Sequence, residues 1–277
     1  MRLYIPFIAV LQTLICAQEV PYVPLGTSSN FALIAGAAIS SELGETISGN
    51  VALYPEVRSK ITGLLDEQVD GGIHAQDDTD NNIAAIAKQD AQIAYNAARS
   101  FASTVLRGSD KELGGQTLGT GVYKFDSEAQ ITGRLTLIGG TYDVFVFQIA
   151  STLITSALSE VYLDGDAQAC NVFWQVGSSA TLSADSMMTG RVLAQISITA
   201  GDQVIVDGGL VALTGAITLQ YGFVEGIAEC DRDSGLPPPL GTTTSSTTIS
   251  TFSITSTFSS NVPGPSVSAP TIGEAAV

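Results

Sequence analysis

A four-residue phrase recurs along the chain: any residue, an apolar residue, a small polar or acidic residue, and glycine. Its last three copies begin at Met187, Ile205 and Phe223, which is a period of 18 residues. Because an extended strand alternates its side chains, the apolar second position points inward and the first and third positions point outward. Repetition at this length with a glycine turn in each unit predicts a β-solenoid whose coils stack into flat sheets. Earlier copies, at irregular spacing, begin at Thr46, Lys60, Gln130 and Tyr162.

Between about residues 77 and 103 the apolar spacing changes to steps of three and four, which predicts one α-helix of about seven turns. The predicted apolar side consists of Ile83, Ile86, Ala87, Ile93, Ala94, Ala97, Ala98 and Phe101. Asp77, Asp78 and Asp80 precede it, where the amides of a helix start favour negative charge. The glycine and the closing glutamate of a calcium-binding loop are missing at the required spacing. We therefore expect a helix that packs on the β part.

The only tryptophan lies in a strand with large side chains on both sides. Val172, Trp174 and Val176 fall on one side, and Phe173 and Gln175 fall on the other. A strand that is apolar on both sides is covered on both sides, so this strand is predicted to be central and buried.

Four segments resemble, in the same order, segments of the ice-binding (antifreeze) protein family of cold-adapted fungi, bacteria and diatoms. They are residues 25–36, 113–125, 144–153 and 169–182. The last reads Ala-Cys-Asn-Val-Phe-Trp-Gln-Val-Gly-Ser-Ser-Ala-Thr-Leu and is similar to the central signature of the family over fourteen positions. The resemblance covers about residues 25–229 and points to a fungal-type member. It implies a mostly β fold, a discontinuous right-handed β-helix with one long α-helix packed along its side.

The resemblance also implies a function. Family members adsorb to planes of ice crystals through a flat solenoid face, which causes thermal hysteresis and inhibits ice recrystallisation without covalent chemistry or a cofactor. The expected partner is therefore the ice crystal surface. Stacking the repeated phrases would place eight candidate residues on one outer face: Thr46, Ser48, Gln130, Thr132, Met187, Thr189, Gln203 and Ile205.

One family feature is missing from that face. Several members carry Thr-Ala/Gly-x-Thr/Asn there, whereas this chain has Ala184-Asp185-Ser186-Met187 and Asp202-Gln203-Val204-Ile205 at the matching places. A different solenoid face therefore stays open as the binding surface. An alternative function also stays open, that of a cell-wall-associated adhesion or carbohydrate-binding surface protein.

Charge narrows the range of partners. The chain has 27 acidic and 11 basic residues and a net charge of −16. Such a protein is repelled by nucleic acid and by an anionic membrane surface, so neither is expected as a partner. We expect a monomer.

Candidate catalytic and metal-binding residues are few. His74 is the only histidine, which argues against a histidine-based metal site or nucleophile. Paired carboxylates are the remaining route to catalysis, and Asp207 stands one coil from Glu225, but no carboxylates form a recognisable motif. We therefore predict that the protein is not an enzyme and that it has no catalytic residue and no bound metal. A polysaccharide lyase or hydrolase is the alternative.

The chain has three cysteines, and Cys16 lies in the N-terminal segment that is predicted below to be a signal peptide. The mature protein would therefore keep Cys170 and Cys230. If they pair in an oxidising compartment, they close a loop of about 60 residues and add about 4 kcal/mol of stability. Alternatively, Cys170 is a small core residue and Cys230 lies too far away to reach it.

The ends of the chain differ in composition from the middle. Residues 1–17 have one basic residue, an apolar run and small residues at the end, which predicts a signal peptide and a secreted, extracellular protein. Residues 18–233 form the predicted ice-binding domain. Residues 234–277 are rich in Ser, Thr and Pro, with 15 Ser or Thr between Gly241 and Ser260. This composition predicts a disordered tail, with cell-wall polysaccharide as a candidate partner.

Overall fold

The structure, a computed structural model, describes residues 20–42, 44, 46–79, 82–226 and 230. The predicted signal peptide and tail lie outside the described residues. The described part is mostly β, with 21 strands and one α-helix, as the sequence predicts. Among the described helices, none is both long and apolar enough to cross a bilayer.

Nine parallel strands form the side of the solenoid that lies against the helix, here called the helix face. In spatial order they are β6 (Ile73–Ala75), β4 (Asn50–Leu53), β1 (Phe31–Ala35), β19 (Val204–Ala212), β17 (Met187–Ala194), β15 (Val172–Val176), β12 (Phe145–Ile149), β9 (Gly121–Phe125) and β7 (Val105–Gly108). In β15, Trp174 packs inside the solenoid and Phe173 packs in the layer between sheet and helix. The prediction that this strand is covered on both sides is confirmed.

Seven further parallel strands form a second sheet, here called the threonine face. In spatial order they are β10 (Ala129–Ile131), β13 (Leu153–Thr155), β16 (Ala180–Leu182), β18 (Ile198–Ala200), β20 (Ala216–Leu219), β2 (Ala38–Ser41) and β5 (Ile61–Thr62). Its inward side chains, such as Ile198 and Ile217, are fully buried in the core of the solenoid.

The third face is formed by shorter strands together with the first halves of β17 and β19. The shorter strands are β8 (Thr117–Leu118), β11 (Arg134–Gly139), β14 (Glu160–Gly165), β21 (Gly222–Glu225) and β3 (Thr46–Ser48). Strands β17 and β19 turn from the third face to the helix face at Gly190 and Gly208, which are register partners. Gly190 has a φ of 97°, and a Cβ atom there would lie 2.5 Å from the carbonyl oxygen of Val172. This corner therefore requires glycine.

The coils are not stacked in sequence order. Strand β1 lies between β19 and β4, with Leu33 opposite Leu210, so the first coil of the chain packs against the last. The helix follows β6 at one edge of the helix face and precedes β7 at the other edge. The predicted interruption of the solenoid by a helix is confirmed.

The helix, α1 (Ile83–Ser100), is shorter than the predicted range of 77–103. Its buried side consists of small residues and one tyrosine: Ala84, Ala87, Ala91, Ala94, Tyr95 and Ala98. Ile86 and Ile93 are 46% and 48% exposed, so placing them on the packed side was wrong. Alanines allow the helix to lie close to the sheet, so the side of the helix that carries them packs against the strands.

The acidic residues before the helix have a different role from the predicted one. The Asp77 carboxylate accepts a hydrogen bond from the amide of Arg58, and the Asp78 carboxylate accepts one from the amide of Ala75, both at 2.7 Å. Asn82, with a φ of 60°, precedes the helix and makes no side-chain cap. The first two aspartates therefore fasten a loop instead of capping the helix, and Asp80 lies outside the described residues.

The open question about the cysteines is answered by their positions. Cys170 and Cys230 form a disulfide, with their Cα atoms 5.5 Å apart. Cys170 lies in a short 3₁₀ turn before β15, and Cys230 follows the last strand, so the bond ties the end of the solenoid chain back to an inner coil. His74 lies in β6, where its ring meets the ring of Phe31 edge-on at 5.7 Å.

Candidate functional site

The eight candidate residues are divided between two faces. Thr46 and Ser48 lie in β3, Met187 and Thr189 in β17, and Ile205 in β19, all on the third face, with Gln203 at its edge. Gln130 lies in β10 and Thr132 directly follows it, so both belong to the threonine face. The prediction of one shared face is therefore wrong for Gln130 and Thr132. The repeated phrase occurs on strands of both sheets, and the phrase alone does not say which sheet.

Four residues on the third face form a row across adjacent strands. Met187 is opposite Ile205, Ile205 is opposite Phe223, and Phe223 is opposite Thr46. Met187 and Ile205 are 47% and 41% exposed. The centre of this face is thus apolar and accessible.

Thr189 does not reach the surface of the third face. It is only 8% exposed, and its hydroxyl donates to the carbonyl oxygen of Val161 at 2.8 Å. Strands β14 and β17 pair only at Glu160 and Met187, so the Thr189 hydroxyl provides the link between them beyond that pair. Its assignment to an outer surface was wrong.

The third face carries charges at the Met187 end of its apolar row and also two residues further along the strands. Asp207 is opposite Glu225, and burial, followed by repulsion from Glu225, raises the pKa of Asp207 above its ordinary value. Arg134 pairs with Glu160 at 2.8 Å, and its guanidinium lies 4.9 Å from the centre of the Tyr162 ring. Among the described residues, no group of three or more His, Cys, Asp or Glu could hold a metal ion.

The threonine face has a more regular surface. Five residues on adjacent strands stand in one register, and we call them the threonine row: Thr181, Thr199, Thr218, Ser40 and Thr62. The four threonines are exposed and Ser40 is half-buried, with its hydroxyl 3.3 Å from that of Thr218. Neighbouring members are separated by the strand spacing of about 4.8 Å. Ile154 and then Gln130 continue the row on β13 and β10.

Small uncharged residues flank the threonine row. Two positions earlier along four of the strands are Ser179, Ser197, Ala216 and Ala38. The seven strands of this face contain no charged residue. Because the inward side chains are fixed in the core, the outer hydroxyl and methyl groups are held in a regular array.

Known proteins resemble this chain in sequence and in structure. The sequence profile of the ice-binding-like family matches residues 33–225, which is more than half of the chain. The chain belongs to the ice-binding-like family. An ice-binding protein of Nostoc sp. (strain HG1) is 40% identical over 205 residues, covering 72% of both chains. Ice-binding protein K1-A of Typhula ishikariensis is 33% identical over 187 residues, covering 62% of this chain and 77% of the relative.

Solved structures of ice-binding proteins have the same fold as this family member. An ice-binding protein of Antarctomyces psychrotrophicus superposes with a TM-score of 0.68 at 32% identity, covering 76% of this chain and all of that chain. A glycosylated ice-binding protein from an Arctic yeast gives a TM-score of 0.71 at 32% identity, covering 78% and 96% of the two chains.

The eight residues predicted from the sequence include none of the five members of the threonine row of this family member. A signal for it exists, since an apolar residue followed by Thr or Ser recurs at Ile39, Ile61, Ile198 and Ile217. The pair Ile61-Thr62 lies in the copy of the glycine phrase that begins at Lys60. The other three pairs are not directly followed by glycine, so a search based on that phrase passes over them.

Proposed function

We propose that this protein binds ice and that the threonine face is the surface in contact with the crystal. The threonine row is the observation that carries this proposal, because it gives regular, uncharged hydroxyl and methyl positions on a flat sheet. The relatives are named ice-binding proteins, which supports ice as the ligand. Thermal hysteresis and inhibition of recrystallisation then follow from adsorption, since a growing ice front bulges between bound molecules and its curvature lowers the local freezing point.

The rigidity of the solenoid favours this role. Thr199 and Thr218 lie on strands whose inward residues are completely buried, so their backbone is fixed before ice is met. A surface that is already ordered loses little conformational entropy on binding. Many weak contacts at a repeated spacing can therefore add up to stable adsorption.

The third face is the second candidate for the ice-contact surface. The apolar row of Met187, Ile205 and Phe223 favours it, together with Thr46 from the predicted set. The charges of Arg134, Glu160, Asp207 and Glu225 oppose it, because charged groups hold their own hydration water. We therefore rank the threonine face first.

We also propose that the protein acts outside the cell as a monomer and has no catalytic role. A disulfide such as Cys170–Cys230 persists in oxidising compartments, which supports an extracellular site of action. Adsorption to a crystal surface involves no covalent chemistry, so we expect no cofactor.

Partition into a slowly growing ice hemisphere tests the ligand. The purified protein is expected to be incorporated into the ice, whereas serum albumin in the same solution is excluded. Exclusion of a folded sample together with the albumin would contradict the proposed function.

A further inference from the structure

A row of backbone outliers marks one corner of the solenoid. Leu158, Asp185 and Gln203 have φ values of 60°, 57° and 56°, and Asn82 is the only other described residue besides glycine with a positive φ. The pairings of Glu160 with Met187 and of Met187 with Ile205 place the three residues at one position in successive coils. Tyr221 occupies the same position in the next coil, since Ile205 pairs with Phe223.

The left-handed conformation is one that glycine adopts without strain and other residues adopt at a cost. This chain uses glycine at many of its other turns, for example at Gly133 and Gly165. Asp185 and Gln203 keep their side chains at this strained position in adjacent coils, which makes them candidates for a role beyond folding.

The corner side chains line an open groove along the third face. Asp185, Gln203 and Tyr221 line it together with Met187, Ile205, Phe223 and Thr46. The groove crosses four coils, which is about 15 Å at the usual strand spacing. It is therefore an elongated site whose lining combines apolar side chains with polar ones.

Tyr221 gives the groove a fixed aromatic surface. Its side chain is 52% exposed, and the edge of its ring lies against Gly44 so closely that a Cβ atom there would be 2.5 Å from the ring. The carbonyl oxygen of Tyr221 also accepts a hydrogen bond from the amide of Gln203. The ring thus lies against the backbone at Gly44, with about half of the residue open to a ligand.

We propose that this groove binds a neutral polysaccharide chain. A sugar ring offers C–H groups that pack on an aromatic face and hydroxyl groups at its edge. The planar amide of Gln203 and the carboxylate of Asp185 supply the donors and acceptors that those hydroxyls need.

Charge argues against two other occupants of the groove. Asp185, Asp207 and Glu225 place negative charge in or beside the groove, and the whole chain carries −16. A second copy of the chain would bring the same charges face to face, and an anionic polymer would be repelled. The same charges make the groove poor for ice, so the proposal is independent of the function assigned to the threonine face.

The test uses the full chain, labelled with ¹⁵N, and three neutral oligosaccharides: cellohexaose, N-acetylchitohexaose and laminarihexaose. At least one is expected to shift amide resonances around Gln203 and Tyr221 in a saturable way, with a Kd of about 1 mM or lower. Tyr221→Ala is expected to weaken binding about tenfold or more. Tyr142→Ala removes an exposed tyrosine outside the groove and is expected to leave binding unchanged.

The variant Gln203→Gly distinguishes a loss of glycan binding from a loss of stability. Glycine relieves the strained backbone, so the Tm is expected to rise while glycan binding falls about tenfold. Leu158→Gly is the matched control, because it relieves the same conformation outside the groove and is expected to raise the Tm without affecting binding. The proposal is overturned if none of the three hexaoses shifts a resonance at about 10 mM, or if Gln203→Gly binds as tightly as the wild type.

Discussion

Thr199 and Thr218 are direct register partners on strands β18 and β20, and both project from the threonine face. Backbone hydrogen bonding between parallel strands sets their separation at about 4.8 Å, as it does for the other members of the row. The spacing of the outer surface is thus independent of which outer side chains are present. A substitution in the row therefore changes the surface and leaves the solenoid in place.

Removing the disulfide is expected to lower stability without changing the fold. The Cys170–Cys230 bond closes a loop with a sequence separation of 60, which corresponds to about 4 kcal/mol in the chain-entropy estimate. The double variant Cys170→Ala/Cys230→Ala is expected to melt about 10 °C below the wild type in calorimetry. Reductant is expected to bring the wild type close to the variant and to leave the variant unaffected. A variant that melts with the wild type would contradict this estimate.

Gln148 is expected to be a stabilising residue because it caps the end of the helix. Its Nε2 donates to the carbonyl oxygens of Ala98 at 2.8 Å and Phe101 at 2.9 Å, and the side chain is buried. Gln148→Leu leaves these carbonyls unpaired, which is expected to cost about 2 kcal/mol in chemical denaturation. Gln92→Leu, on the accessible side of α1, is the control and is expected to cost less than about 0.5 kcal/mol. Equal costs would mean that the cap contributes nothing.

Asp207 is expected to destabilise the protein at neutral pH. Burial and the neighbouring Glu225 raise the pKa of Asp207 in the folded protein above 3.8, so the folded state holds this proton more tightly than the unfolded state. The resulting stabilisation is fully present below pH 3.8 and is lost as the pH rises through the folded pKa. Asp207→Asn is therefore expected to raise the Tm by about 2 °C near pH 7.

Melting curves at a series of pH values check the sign of this effect. The advantage of Asp207→Asn over the wild type is expected to shrink as the pH falls towards about 4. Glu67→Gln, which changes an exposed carboxylate, is the control and is expected to change the Tm by less than about 1 °C near pH 7. An Asp207→Asn variant that is less stable than the wild type near neutral pH would be the contradicting result.

The sequence predicts the fold better than it predicts the site, and Thr132 and Thr189 illustrate why. Both occupy the third position of the repeated phrase, yet Thr132 is exposed beside the threonine face and Thr189 is buried against Val161. Strand alternation and an 18-residue period specify coils with an inside and an outside. Assigning a phrase to one of three faces requires the strand pairings, which connect residues far apart in the chain.

The helix illustrates a second limit. Apolar spacing predicts α1 but starts it six residues too early and ends it three residues too late, and ranking residues by hydrophobicity favours Ile86 and Ile93 for its packed side. Alanines pack against the sheet instead, because small side chains allow the helix to lie closer to the strands. The pairing of Cys170 with Cys230 is likewise a product of three-dimensional proximity, and their spacing in the sequence leaves it open.

The most direct test of the threonine face is the thermal hysteresis of two matched variants of the full chain, Thr199→Tyr and Ile205→Tyr. Each adds a bulky ring at an exposed strand position, one on the threonine face and one on the third face, and each is expected to melt within about 2 °C of the wild type. Thr199→Tyr is expected to lose most of the freezing-point gap at equal concentration, whereas Ile205→Tyr keeps it. Loss of activity in Ile205→Tyr with full activity in Thr199→Tyr would contradict the account and assign ice binding to the third face.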